Sequence, residues 1–312
     1  MKKQNYFEEL EARLNKSCNC KVVIPLADNE AVAIAIKEAL NKKLISGATL
    51  VGSKDRIKSI YGSLADSDKI SIVEAISEEE ALLKSVNEIK AKRADIIMKG
   101  MCQSASLIKA VLDKKNGLEH NFLSHITAFQ LPDKDYACFL TDSAVNVSPD
   151  EETIINEINN VTEFLLKSNS QNKPTEELLQ FINGKNKVAL LSANEKVSDK
   201  MPSTKLAEAV VNKLSSKTTM IVEGPVAFDL AVSPKSAQIK KYKGKLQGDA
   251  TIFVAPHIET ANALYKSLQH YIKADMGGIL FGASCPVVHP SRADNARTKF
   301  NSLLLALSYV NY

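Results

Sequence analysis

Pro290-Ser291-Arg292-Ala293-Asp294 follows an apolar run that ends at Val288 and stands where a last helix, 292 to about 309, is expected to begin. The spacing Ser291-x-x-Asp294 has the form of a capping box, which accounts for both of those residues. It gives no reason for Arg292, whose planar fork suits bidentate recognition of phosphate or carboxylate. A helix mouth adds unpaired N–H groups and a positive dipole end, so the chemistry on offer is the holding of an anion.

Two other segments have the same form. In MKGMCQSASLIKAVLDK (98–114), a strand runs into Lys99-Gly100, with Gln103, Ser104 and Ser106 at the helix mouth and Lys109 further in. An anion site and a plain serine cap with a surface lysine are both consistent with that pattern. In LSANEKVSDKMPSTKLAEAV (191–210), a loop carrying Glu195, Lys196 and Lys200 leads to Pro202-Ser203-Thr204, again either a ligand loop or an ordinary N-terminus. Asp229, on the first turns after Gly224-Pro225, either faces a substrate or complements the helix dipole. His125, His257 and His289 flank apolar strands, where a satisfied core or loop histidine is commoner than a catalytic one.

Several chemistries lack their signatures. There is no G-x-x-x-x-G-K-[ST], G-x-G-x-x-G or G-x-S-x-G. Cys18-Asn19-Cys20 has neither C-x2-C spacing nor a nearby histidine, so no metal site is expected. Five scattered cysteines suggest reduced thiols. A formal charge of +4 over 312 residues is too small to imply nucleic acid. The amphipathic opening and the lack of a long apolar run point to a cytoplasmic protein without a membrane partner.

The elements that must position these residues read as α/β. Apolar runs at 21–25, 48–52, 70–73 and 94–98 alternate with amphipathic segments and are expected to form one sheet. Runs 124–132 and 136–142, joined by the polar turn 133–135, predict an antiparallel excursion. A helix over 150–168 is followed by the polar stretch 168–177, either a linker or an interhelical loop. A second series of strands falls at 187–192, 218–223, 250–255 and 277–282. Two α/β halves follow, and a last helix folding back on the first half would make that half discontinuous.

The series ADIIMKGMCQSASLIKAVL, FLSHITAFQLP, LTDSAVNVSPD, LLSANEKVSDKMPST, VEGPVAFDLAVS, GDATIFVAPHIETANALYKSL and GGILFGASCPVVHPSRAD resembles the phosphate acetyltransferase and phosphate butyryltransferase family, the butyryltransferase branch above all. The resemblance implies reversible transfer of a short acyl group, butyryl first, from CoA to orthophosphate. It implies a two-domain isocitrate/isopropylmalate dehydrogenase-like α/β fold with a cleft between domains. The first domain would be 1–137 plus 291–312, and the second, 138–290, would build a homodimer. CoA would be a substrate or product, with no separate cofactor.

By position in the matching motifs, the resemblance gives Arg292 the phosphoryl group and Ser291 the developing oxyanion. Asp294 is the candidate base, since Thr298 stands where the acetyltransferases carry their aspartate. Substrate binding would fall to Lys99, Ser104, Lys109, Ser124, His125, Asp142, Asn146, Lys196, Asp229 and Asn262. Lys109 replaces an arginine common in acetyltransferases, which removes bidentate clamping there. His257, Ala261 and Ser284 depart from the family pattern. Acetyl specificity, a hydroxyacid dehydrogenase of the same fold and a regulatory protein that only binds CoA or acyl phosphate are the alternatives.

Overall fold

A computed structural model describes residues 5–14, 19–132, 134–169, 186–215 and 220–310 of the 312. Cys18, Asp133 and most of the polar stretch 168–177 lie outside the described residues. The chain divides into two compact units, 1–123 with 275–312, and 124–274.

In the first unit the apolar runs form strands β1 (Lys21–Pro25), β2 (Gly47–Gly52), β3 (Ile70–Glu74) and β4 (Ile96–Met98). Their order is β3-β2-β1-β4, all parallel. Three of the segments between them are helical: α2 (Glu30–Asn41), α3 (Lys54–Tyr61) and α4 (Glu78–Lys90), and α1 (Tyr6–Arg13) precedes β1. Asn29 caps α2 by accepting from the Val32 amide at 2.9 Å, and Ser77 caps α4 through the Glu80 amide at 3.1 Å.

The same sheet continues into β11 (Val287–Val288) and β10 (Asp275–Ala283). β11 runs parallel to β4 and antiparallel to β10. These pairings place the unit boundary at 274/275, ahead of the 290/291 expected from sequence. The other boundary, 123/124, falls within the strand His120–Gln130 and precedes the expected 137/138; Thr127–Phe129 of that strand pair with Cys138–Leu140.

The last helix of the first unit runs from Ala296 to Val310 and packs on β10 and α2. Phe300, Leu303, Leu304 and Leu307 are fully buried, each contributing about 1.5–3 kcal/mol. A Cβ on Gly277 would lie 2.7 Å from the Ser302 amide nitrogen, so glycine permits this close approach. The neighbouring Gly278 amide donates to Ser302 Oγ at 2.9 Å.

In the second unit β5 (His120–Gln130), which begins in the first unit, pairs antiparallel with β6 (Cys138–Thr141). β9 (Ile252–Val254), β7 (Lys187–Leu191) and β8 (Ile221–Val226) then follow in parallel, giving the order β5-β6-β9-β7-β8. β8 lies later than the expected 218–223 and extends through Gly224-Pro225. The helices are α6 (Glu151–Asn169), α7 (Pro202–Leu214), α8 (Phe228–Val232), α9 (Pro234–Ile239) and α10 (Ile258–Ser267). With α5 (Ser104–Leu112) of the first unit, the last helix, 296–310, becomes α11.

Candidate active site

The register of the first sheet brings the two chemistry-bearing stretches of that unit together. Val288 pairs with Met98, so Lys99 follows β4 beside His289, and its amide donates to the Val288 carbonyl at 2.9 Å. A Cβ on Gly100 would lie 2.1 Å from the Leu26 carbonyl oxygen and 2.4 Å from that of Pro25, so only glycine lets the chain pass the end of β1. Met101 N–H then donates to the Leu26 carbonyl at 2.9 Å.

Lys99 is 2% exposed, and its ammonium makes no hydrogen bond or ion pair with any described residue. Burial pushes it below the usual lysine range; Arg292 adds to that shift, while Cys102, Asp294 and Glu78 oppose it. The Cys102 thiol, also buried, is pushed up to about 11 and so stays protonated at neutral pH.

The Ser291–Asp294 segment is a tight turn rather than the first turn of a helix. Asp294 N–H donates to the Ser291 carbonyl at 3.1 Å, and Asp294 Oδ2 accepts from Ser291 N–H at 2.8 Å. The helix starts at Ala296, and its cap is Asn295, whose Oδ1 accepts from Thr298 N–H at 2.8 Å. The expected helix from 292 capped by Ser291 is therefore corrected: the amide and the carboxylate of Asp294 both bond back to Ser291 ahead of the helix. Ser291 Oγ caps nothing and has no described hydrogen-bond partner. Arg292 is exposed at the turn's tip.

A second lysine completes this cluster. Lys299, 2% exposed, donates from Nζ to the Ser291 carbonyl at 2.9 Å. Burial pushes its ammonium down to about 8, Lys99 acting in the same direction and Asp294 against it. Two buried lysines and Arg292 thus outnumber the carboxylates acting on them, Asp294 and Glu78, an excess of positive charge suited to an anion.

The second unit assembles a different network after β6. Asp142 accepts from the amides of Ala144 (2.8 Å), Val145 (2.9 Å) and His125 (3.0 Å), and from Asn146 Nδ2 (2.8 Å). His125 Nδ1 lies 2.9 Å from Ser143 Oγ, and Asn262 Nδ2 donates to the Ser143 carbonyl at 3.2 Å. Asn160 Nδ2 donates to the buried Ser124 hydroxyl at 2.8 Å. Asp142 is thus occupied in folding the 142–146 loop, and His125 supports it from inside, while Ser124 is held by Asn160 of α6.

Glu157 on α6 joins this network. It is 1% exposed, and neither carboxyl oxygen has a well-formed hydrogen bond. Burial pushes its carboxyl up to about 9, the Asp142 charge acting the same way and the nearby Asn146 amide offsetting part of the shift.

A family model described as Phosphate acetyl/butaryl transferase matches residues 73–307. The chain belongs to this family. Phosphate butyryltransferase of Clostridium acetobutylicum is 35% identical over 305 residues, covering 96% of each chain. Phosphate acetyltransferase of Rhizobium meliloti is 31% identical over 265 residues, covering 83% of this chain and 79% of that one. The crystal structure of a branched-chain phosphotransacylase from Enterococcus faecalis has a TM-score of 0.78 at 30% identity, covering 93% of this chain and 99% of that one. A 4-hydroxythreonine-4-phosphate dehydrogenase structure from Klebsiella pneumoniae, 10% identical with a TM-score of 0.51, covers 93% of this chain and 100% of that one and shows a likeness of fold alone.

In this acetyl/butyryl transferase chain four of the expected site residues make no described hydrogen bond or ion pair to the cluster of their own unit. Lys109 is exposed and lines a groove of about 420 Å³ between α4 and α5 with Glu78, Glu79 and Ser106, rather than joining Lys99. Ser104 is the first residue of α5 and makes no cap; the Gln103 amide at that helix end is taken by Glu78 Oε1 at 3.0 Å. Lys196 is exposed on the loop after β7. Asp229 is paired with Lys240 at 3.0 Å.

Two residues escaped the reading of the sequence. Lys299 looks there like an ordinary helix lysine, and Glu157 like one more acid on an amphipathic helix. The one signal for Lys299 was the apolar character of the helix around it, FNSLLLAL.

Among the described residues no group of three or more His, Cys, Asp or Glu could hold a metal ion. No described helix is long and apolar enough to cross a membrane.

Proposed function

We propose that this chain transfers a short acyl group, butyryl first, between CoA and orthophosphate. An oxygen of orthophosphate attacks the thioester carbonyl carbon, the new C–O bond gives the acyl phosphate, and the C–S bond breaks to release the CoA thiolate, which then takes a proton. The observation that carries this reading is Lys99: a largely buried lysine whose ammonium has no described partner, beside Arg292 and Lys299, is stabilised by an arriving anion.

Arg292 and Lys99 would hold the phosphate dianion, and the uncommitted Ser291 hydroxyl would donate to the oxyanion that forms at the carbonyl. Asp294 serves chiefly to close the turn. A thiolate is a good leaving group, so strong base catalysis by Asp294 is not required. The 142–146 loop, with Asn146 and Asn262 at its surface, is the proposed CoA-side contribution of the second unit. Ser104, Lys109, Lys196 and Asp229 remain as outer contacts to the extended CoA molecule.

Support for butyryl comes from the names of relatives at 34–35% identity. The acetyltransferases at 29–31% identity keep acetyl as the second reading. An isocitrate/isopropylmalate dehydrogenase-like two-domain arrangement, a homodimer built through the second unit and a cytoplasmic location belong to the same proposal.

The test is thiol release from acetyl-, propionyl-, butyryl- and isobutyryl-CoA with and without phosphate. Phosphate-dependent release fastest with butyryl-CoA is expected. CoA binding without any turnover would instead favour a regulatory protein.

A further inference from the structure

We propose that Lys299 is a positioning residue of the acyl-transfer site: by holding the Ser291 carbonyl it fixes the peptide that carries both the Ser291 hydroxyl and the Arg292 guanidinium. The inference rests on the reading of Ser291 and Arg292 as substrate contacts. It extends that reading to a residue that touches no substrate.

The tether starts from a rigid base. Lys299 lies in the first turn of α11, where its amide donates to the Asn295 carbonyl at 3.1 Å. The next residue, Phe300, is fully buried, and Ser302 is fixed by Gly278. From there the side chain reaches back to Ser291 and closes a loop around the 291–294 turn. Two described bonds of the turn lie between Ser291 and Asp294, and the Lys299 bond adds a tie from the helix to the Ser291 carbonyl.

A buried charge is a costly way to hold a carbonyl, which a neutral amide could also satisfy. The charge has a second use if an anion arrives: it adds to Lys99 and Arg292. The charged groups acting on Lys299 are Asp294 and Lys99. Neighbouring charges on packed elements are turned elsewhere: Arg297 faces Asp275 at 3.9 Å, and Lys42 lies over the Phe300 ring and pairs with Glu11 and Glu38. Deprotonated Lys299 still has N–H groups for the Ser291 carbonyl, so loss of its proton removes the charge but keeps the tether. High pH should therefore weaken phosphate binding, whereas removal of the amine should depress turnover as well.

The experiment measures kcat and KM for phosphate in the thiol-release assay from pH 6.5 to 9.5, with wild type, Lys299→Arg and Lys299→Met. In the wild type, KM for phosphate is expected to rise as pH passes about 8. Lys299→Arg keeps its charge throughout and should lack that step, while the titration of phosphate itself is common to both. Lys299→Met should lose kcat on the order of 10²-fold at pH 6.5, since small misplacements of a reacting group carry losses of that size. Thermal unfolding checks that the variants fold; should one fail, the other decides. Coincident wild-type and Lys299→Arg profiles, a flat wild-type KM, or wild-type kinetics in a folded Lys299→Met would each overturn the proposal. No thiol release by the wild type would overturn the acyltransferase reading itself, and the role of Lys299 with it.

Discussion

Asp294 and Ser291 hold each other twice: the Asp294 carboxylate accepts from the Ser291 amide at 2.8 Å, and the Asp294 amide donates to the Ser291 carbonyl at 3.1 Å. That pair makes the 291–294 turn a unit of its own, ahead of the helix. It leaves the Ser291 hydroxyl uncommitted and places Arg292 at the tip.

Asp294→Asn keeps an acceptor for the Ser291 amide and loses only the charge, whereas Asp294→Ala removes the side-chain bond. If the carboxylate closes the turn, turnover in Asn should stay within about tenfold of wild type, and Ala should lose about 1–2 kcal/mol of stability together with most activity. Steady-state kinetics and thermal unfolding of the two variants check this. Equal and large losses of turnover in both would instead make Asp294 a base.

Arg292→Ala should leave the unfolding temperature unchanged, because the guanidinium is exposed and forms no described hydrogen bond. It should raise KM for phosphate and lower kcat, together on the order of 10²-fold or more in kcat/KM, as for loss of a charged donor at a reacting centre. Unchanged kinetics would remove Arg292 from the site.

Much of this was legible in the sequence, for physical reasons. Parallel strands buried on both faces read as short apolar runs, so the bounds of KVVIP and KVALLS agree with the observed strands within a residue, as do those of ISIV, an edge strand with no buried residue. The start of the last helix was not, because Ser291-x-x-Asp294 and Asn295 are overlapping cap signals. Tertiary contacts decide between them: the Lys299 bond to the Ser291 carbonyl holds that residue outside the helix. Burial of Lys99 and Lys299 was invisible for the same reason, since a lysine on its own gives no sign of which element covers it.

Gly100→Ala tests whether the approach of the Lys99 turn to β1 is as tight as the distances state. The new Cβ would meet backbone oxygens at 2.1 and 2.4 Å, which cannot move as a flexible side chain would. Destabilisation of about 1–3 kcal/mol is expected, or several degrees in unfolding temperature. Activity should fall more than stability because Lys99 is the adjacent residue. A variant with wild-type stability would show that the turn can relax.

Glu157 gives a prediction of sign. Its carboxyl is pushed up to about 9 in the folded chain, so between the ordinary glutamate range and 9 the folded state binds more protons than the unfolded one. Its contribution is therefore fully present at low pH and lost as pH rises towards 9, with a slope of at most about 1.4 kcal/mol per pH unit. Glu157→Gln is neutral at every pH and should flatten the stability curve between pH 5 and 9, becoming relatively more stable at the alkaline end. Denaturant unfolding at pH 5.5, 7 and 8.5 measures it; parallel curves for the two proteins would show that Glu157 is ionised already.

Lys99→Met separates stability from function. The side chain is largely buried and its ammonium has no described partner, so replacing it with an apolar chain of similar length should raise the unfolding temperature in phosphate-free buffer, by about 1–3 kcal/mol of stability. Wild type should be stabilised by added phosphate through linkage, and the variant should not. The order of the two proteins should then close up, or invert, as phosphate is raised, with thiol release lost in the variant throughout. Should Lys99→Met instead unfold earlier than wild type without phosphate, the amine is already satisfied within the protein, and the anion site must be centred on Arg292.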